Sequence, residues 1–108
     1  MINVTYDRMH HSLKVEGHAG AGLKGSDPIC AAATILAYTF AQSCIDAVEF
    51  KCAKPKSLLT RFEDGYAEIS VEPHKKYNEM VMSILDSIVN GFVLLAKGYK
   101  ENLTLTVK

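Results

Sequence analysis

Asp27-Pro28-Ile29-Cys30-Ala31-Ala32-Ala33-Thr34 opens a run of eighteen residues, Pro28 to Ile45, without a charge, and the way it opens decides the fold. Asp27 suits a helix N-cap, where its carboxylate can accept from main-chain N–H groups. Pro28 suits the first helical position, where its missing N–H costs nothing. The apolar residues Ile29, Ala32, Ala33, Leu36, Phe40, Ala41, Cys44 and Val48 recur at helical spacing. This predicts a helix to about residue 48, roughly 30 Å long at about 1.5 Å per residue. The uncharged run nears the minimum for a membrane span. Yet it is rich in alanine, contains Thr34, Thr39, Gln42 and Ser43, and has acidic flanks at Asp27 and Asp46. A spanning helix would be richer in leucine and carry a basic flank. We therefore expect a soluble protein with a central helix buried on most sides, and no membrane partner.

Upstream, residues 17–25 hold four glycines in nine positions: Gly17, Gly20, Gly22 and Gly25. Such a stretch sustains neither strand nor helix, so a mobile surface loop is expected. Before it, residues 2–7 and 11–17 alternate as strands, with Val4 and Tyr6 on one face and Leu13 and Val15 likewise paired. Asp7-Arg8-Met9-His10 reads as the hairpin turn between them. Downstream, residues 57–62 and 66–71 form a second hairpin around Glu63-Asp64-Gly65, an Asp-Gly turn signal. Phe50 to Lys54 connects it to the first helix, and Pro73 ends it. A second helix is expected from about Lys75 to Lys97, with Tyr77, Val81, Ile84, Ile88, Val89, Phe92 and Leu95 on its apolar side and Gly98 as its C-cap. Residues 103–107 close the chain as a strand.

The order is β-β-α-β-β-α-β. Two amphipathic helices can cover one face of a mixed sheet of about five strands, an α/β (α+β) two-layer sandwich. All 108 residues fit one domain, and about half are apolar, enough for one modest core. Helix one is apolar on more sides than one sheet contact requires, which an oligomer interface would absorb. Formal net charge is zero, with 12 basic and 12 acidic residues, which argues against direct nucleic-acid binding. Lys51, Lys54 and Lys56, and His74, Lys75 and Lys76, read as solvated surface. Three cysteines without a CxxC pair fit a reducing cytosol and not a disulfide framework. The N-terminal residues lack the basic and apolar regions of a signal peptide.

The chemistry gathers at Cys30 and His18, twelve residues apart at the two ends of the glycine stretch. A thiol in the first turn of a helix, with an imidazole on a flexible lead-in, is the physical recipe for an activated nucleophile. The unpaired N–H groups of that turn would stabilise the thiolate, or receive the oxyanion formed when it attacks a carbonyl. Cys44 and Cys52 read as small core residues. His10, His11 and His74, at turns and element edges, read as surface. A zinc site on His18 and Cys30 lacks two further ligands, so neither metal nor cofactor is expected.

These residues resemble the ribosomal-processing cysteine protease Prp family. The family pattern is a strand ending in Gly-His-Ala, a glycine-bearing loop, then Gly-x-Asp-Ile-Val-Cys-Ala-Ala-x-Ser opening a helix. Here it stands as Gly17-His18-Ala19 and Gly25-Ser26-Asp27-Pro28-Ile29-Cys30-Ala31-Ala32-Ala33-Thr34. The resemblance spans nearly the whole chain, though only residues 17–34 are diagnostic. It implies a Cys/His-dyad endopeptidase, usually a homodimer in the bacterial cytoplasm, that removes an N-terminal extension from a large-subunit ribosomal protein. Carried over, Cys30 is nucleophile and His18 general base, with Asp27 and Thr34 supporting the nucleophile and its helix. The loop bearing Gly17, Ala19, Gly20, Gly22, Gly25 and Ser26 would order over a substrate containing hydrophobic and aromatic residues. Two departures stand out: Pro28 replaces the usual Ile, and Thr34 the usual Ser. Such divergence leaves open a phage or prophage structural protein as substrate, or a ribosome-associated binding module that has lost turnover. A redox sensor built on Cys30 alone lacks a resolving cysteine nearby.

Overall fold

The computed structural model describes residues 1–23 and 25–108. Its elements run β1 (Ile2–Asp7), β2 (Ser12–Glu16), α1 (Pro28–Glu49), β3 (Leu59–Glu63), β4 (Tyr66–Ser70), α2 (Asn78–Gly98) and β5 (Leu103–Val107). Short 3-10 turns at Pro55–Ser57 and Lys75–Tyr77 lead into β3 and α2. The order is the expected β-β-α-β-β-α-β, and the five strands form one mixed sheet in the order β3-β4-β2-β1-β5. All neighbours pair antiparallel except β1 and β5, which run parallel.

Register explains why one face of the sheet is apolar. Val4 sits opposite Val15 and Tyr6 opposite Leu13, while Leu13 and Val15 face Ile69 and Ala67 across the next ladder. Because side chains alternate, these residues share one face. They are buried there against α1 and α2, with Val15 at the margin. The other face carries Asn3, Thr5, Lys14, Glu68 and Thr104 in its ladders. Helix α1 buries Ile29, Ala33, Ala37, Phe40, Ala41, Cys44 and Ala47. A stripe made mostly of alanine lets a helix approach its neighbours closely, and Phe40 fills the centre, edge-on to Tyr6 at 6.0 Å. Both helices are long and apolar enough to cross a membrane by length and composition. Here they pack together on the apolar face of the sheet.

Three local expectations are corrected. His11 is buried: a left-handed backbone (φ 50°) ends the hairpin turn and places it two residues before Leu13, on the helix side of the sheet. It shares a hydrogen bond with Asn78, its Nε2 finds no partner among the described residues, and burial lowers its pKa. Ile84 is half exposed and Leu85 fully buried, because the buried stripe of α2 is Val81, Leu85, Val89 and Phe92. Gly98 does not cap α2 from outside. It is the last helical residue, and the Tyr99 N–H closes the helix on the Leu95 carbonyl.

Candidate active site

The start of α1 is built as its sequence implies. Asp27 has an extended backbone (φ −79°, ψ 113°), and its Oδ1 accepts from the Ile29 and Cys30 N–H groups at 2.9 and 3.0 Å. Its carbonyl accepts from Ala31 at 3.0 Å, and Pro28 has no N–H to place. Together these occupy every N–H of the first helical turn. The expectation that free helix N–H groups would face the Cys30 sulfur is therefore overturned: the cap has taken them.

The sulfur finds its donor elsewhere. The Ala19 N–H points at Cys30 Sγ, 3.3 Å away. Ala19 is itself buried, although the described loop residues around it are exposed. Its carbonyl accepts from Asn102 Nδ2 at 3.0 Å. Asp27 reaches back to the same loop, since its Oδ2 accepts from the Ala21 N–H at 2.9 Å. One carboxylate thus ties the loop to the helix. The Cys30, Ala21 and Ile29 amides, the first most of all, hold its carboxyl below the usual carboxylate range against the opposing effect of burial.

His18 stands on the near side of this loop. Its carbonyl accepts from the Met1 amino group. Its exposed ring lies over the β3–β4 turn, with Nε2 3.9 Å from Asp64 Oδ1. Gly65, at φ +70°, makes room for the ring, because a Cβ there would come within 2.8 Å of Nε2. Gly17 (φ +97°) donates its N–H to the Gly65 carbonyl at 2.8 Å, which locks the strand end to that turn. Its own missing Cβ is required, since one would lie 2.3 Å from the Met1 carbonyl oxygen.

His18 and Cys30 line one cleft of about 810 Å³ that also takes in Asp27, Thr34 and the glycines at 17, 20, 22 and 25. Among the described residues, the polar groups on the Cys30 thiol are the Ala19 amide and the Asp27 carboxylate, and not the imidazole. Thr34 turns its hydroxyl back onto the Cys30 carbonyl at 2.7 Å, so that group serves the helix backbone. Ser26 closes a tight turn on the Leu23 carbonyl through both its N–H and its hydroxyl. Lys24, within the expected loop, lies outside the described residues. No group of three metal-ligating side chains occurs among the described residues.

Sequence reading missed two residues that wall the cleft and one that supports the loop beside it. Tyr38 and Phe62, with ring centroids 4.9 Å apart and planes tilted by 50°, form the apolar wall of the cleft. Phe62 reaches it because it pairs with Ala67, on the helix side of the sheet. Asn102, eighty-three residues from Ala19, left no local signal at all.

A family model described as cysteine protease Prp matches residues 1–104. The chain belongs to the cysteine protease Prp family. It is accordingly a cysteine protease. Its fold is similar to that of the essential ribosomal processing protease Prp from S. aureus with a covalently linked product peptide. That match has TM-score 0.71 and 20% identity, covering 99% of this chain and 97% of the other. The S. aureus protein with a substrate peptide matches at TM-score 0.65 and 19% identity, with 99% and 97% covered. SMU.848 from Streptococcus mutans matches at TM-score 0.62 and 23% identity, with 99% and 96% covered. A comparison with curated protein sequences found no match. At these identities the solved structures speak for the fold; the family model carries the activity.

Proposed function

We propose that this protease is an endopeptidase acting through a Cys30/His18 dyad. The observation that carries this reading is the shared cleft: a thiol on the first turn of α1, a donor on its sulfur, and an exposed imidazole on the adjoining strand end. With Nε2 turned to the Asp64-Gly65 turn, Nδ1 is the nitrogen that takes the thiol proton. The thiolate attacks the substrate carbonyl carbon, an S–C bond forms, and the carbonyl π pair moves onto oxygen. When the C–N bond breaks, the imidazolium returns its proton to the leaving amine. Water, deprotonated by the same imidazole, then hydrolyses the thioester and releases Cys30.

The substrate we infer is a protein segment with hydrophobic or aromatic residues, which the Tyr38–Phe62 wall suits. The name of the S. aureus ribosomal processing protease supports a ribosomal protein as substrate, and the family resemblance points to the N-terminal extension of a large-subunit one. The loop of Gly17, Ala19, Gly20, Gly22, Gly25 and Ser26 closes over it, and the reaction runs in the bacterial cytoplasm. The enzyme works as a homodimer, with exposed Ile35 on α1 and exposed Ile84 and Leu94 on α2 as apolar surface for a second copy. Sedimentation at micromolar concentration tests that state, and a monomer would refute it.

The deciding experiment pairs cleavage of such extension peptides with iodoacetamide labelling of the native protein. Cys30 should label much faster than Cys44, which is fully buried and whose thiol burial pushes up to about 12. Cys30→Ala and His18→Ala should each abolish cleavage. Equal, slow labelling of all three cysteines, or cleavage by Cys30→Ala, would refute the dyad.

A further inference from the structure

The first turn of α1 has no N–H left for the sulfur. Ile29 and Cys30 donate to Asp27 Oδ1, Ala31 donates to the Asp27 carbonyl, and Pro28 has none to give. The donor that reaches Sγ comes from the loop, at Ala19. A loop amide is useful for catalysis only if something fixes its peptide, since a donor that must reorganise during reaction loses most of its worth.

Asn102 supplies that fixing. It lies in the turn between α2 and β5, where its N–H donates to the Tyr99 carbonyl at 2.9 Å and its carbonyl accepts from Ile2 at 2.8 Å. Its backbone is thus held by the helix end and by the sheet. The side chain is left to span to Ala19, where Nδ2 donates to the carbonyl at 3.0 Å. Ala19 is clamped on both sides, with its carbonyl on Asn102 and its N–H on Cys30, and its methyl group is buried in the core.

We propose that Asn102 is a positioning residue for the reaction. It holds Ala19 so that the Ala19 N–H steadies the Cys30 sulfur before attack and the substrate oxyanion after it. An amide 3.3 Å from the sulfur lies within reach of an oxygen borne by the carbon that the sulfur has just bonded. This inference rests on Cys30 being the nucleophile. It adds that the oxyanion donor belongs to the loop and not to the helix.

The test is steady-state cleavage of the extension peptide by wild type, Asn102→Ala and Asn102→Asp. The aspartate is nearly isosteric and keeps every main-chain bond of the turn, but offers the Ala19 carbonyl no donor. We expect kcat to fall by about tenfold in both variants with KM within about twofold of wild type, the pattern of a lost transition-state contact. Iodoacetamide should still label the buried Cys44 slowly, which reports an intact core. If Asn102→Ala fails that check, Asn102→Asp decides. Wild-type kcat in the folded variants would overturn the assignment, as would a raised KM with kcat retained. Cleavage that survives Cys30→Ala would instead overturn the nucleophile beneath it, so the two failures are told apart.

Discussion

Substituting Gly65 separates the position of His18 from the stability of the turn that carries it. An alanine Cβ would sit 2.8 Å from His18 Nε2, so the ring must retreat about 0.6 Å to reach an ordinary 3.4 Å contact. The same change forces alanine to adopt φ +70°, which costs roughly 1–2 kcal/mol. In a domain of this size that lowers Tm by about 4–15 °C. A misplacement of about 1 Å at a catalytic group can cost on the order of a hundredfold, so a shift somewhat smaller should lower kcat/KM about tenfold. Gly65→Asn separates the two effects, because asparagine tolerates the left-handed region yet still carries the Cβ. Peptide cleavage and thermal melting on the same samples should show alanine losing both activity and Tm. Asparagine should lose activity while keeping most of its Tm. If both variants melt as expected but cleave at the wild-type rate, the imidazole does not work from its place over this turn, and the reasoning fails.

Phe40→Ala, which empties the centre of the core against Tyr6, should destabilise the protein by about 3–5 kcal/mol in urea titration. Asp86 accepts from Arg8 Nε and Nη2 and from the Tyr6 hydroxyl, and the Arg8 bond above all holds its carboxyl below the usual range. A depressed carboxylate stabilises above the unfolded value near 4 and loses that contribution as pH falls through the folded one, so Asp86→Asn should flatten the acid limb of the stability curve. Buried His11 has the opposite chemistry but also loses stability in acid: its pKa is lowered, so the unfolded chain binds the proton first as pH drops through about 6.5. His11→Asn, which suits the left-handed backbone there, should melt at more nearly the same temperature at pH 8 and pH 5 than wild type does.

Much of this was legible in the chain because the deciding signals are local. Asp27-Pro28 marked a helix start that the capping geometry reproduces, and Asp64-Gly65 marked a turn with Gly65 at positive φ. Alternation paired Val4 with Tyr6 and Leu13 with Val15, and the ladder between the two strands brings both pairs onto one face. What stayed hidden depends on register or on distance along the chain. His11 looked like a turn residue because nothing in His10-His11-Ser12 shows that position 11 takes a left-handed φ and turns inward. Ile84 and Leu85 are equally apolar, and only the docking angle of α2 decides which faces the sheet. Phe62 joins the cleft through its pairing with Ala67, and Asn102 reaches the Ala19 carbonyl from a turn beyond α2.

The cap itself explains how a glycine-rich stretch between His18 and Cys30 is tied down. A flexible loop has a large entropy to lose, and its glycines increase that loss. Here the cost is met at anchors that already exist for other reasons. Asp27 must accept from the helix N–H groups to start α1, and its second oxygen takes Ala21 with no further ordering of its own. Gly17 must end β2, and its N–H lands on Gly65 in the neighbouring hairpin turn. Between these ties, Ala19 is buried against the core and held by Asn102. The described glycines at 20, 22 and 25 remain exposed on the cleft side, so the segment nearest a substrate is also the least committed. Asp27→Asn should therefore affect more than helix stability. With one oxygen replaced by an amide that cannot accept, either the Ala21 or the Cys30 contact must fail. Cleavage by Asp27→Asn should then fall further than any loss of Tm accounts for. A variant whose activity merely tracks its melting would show that the cap serves the helix alone.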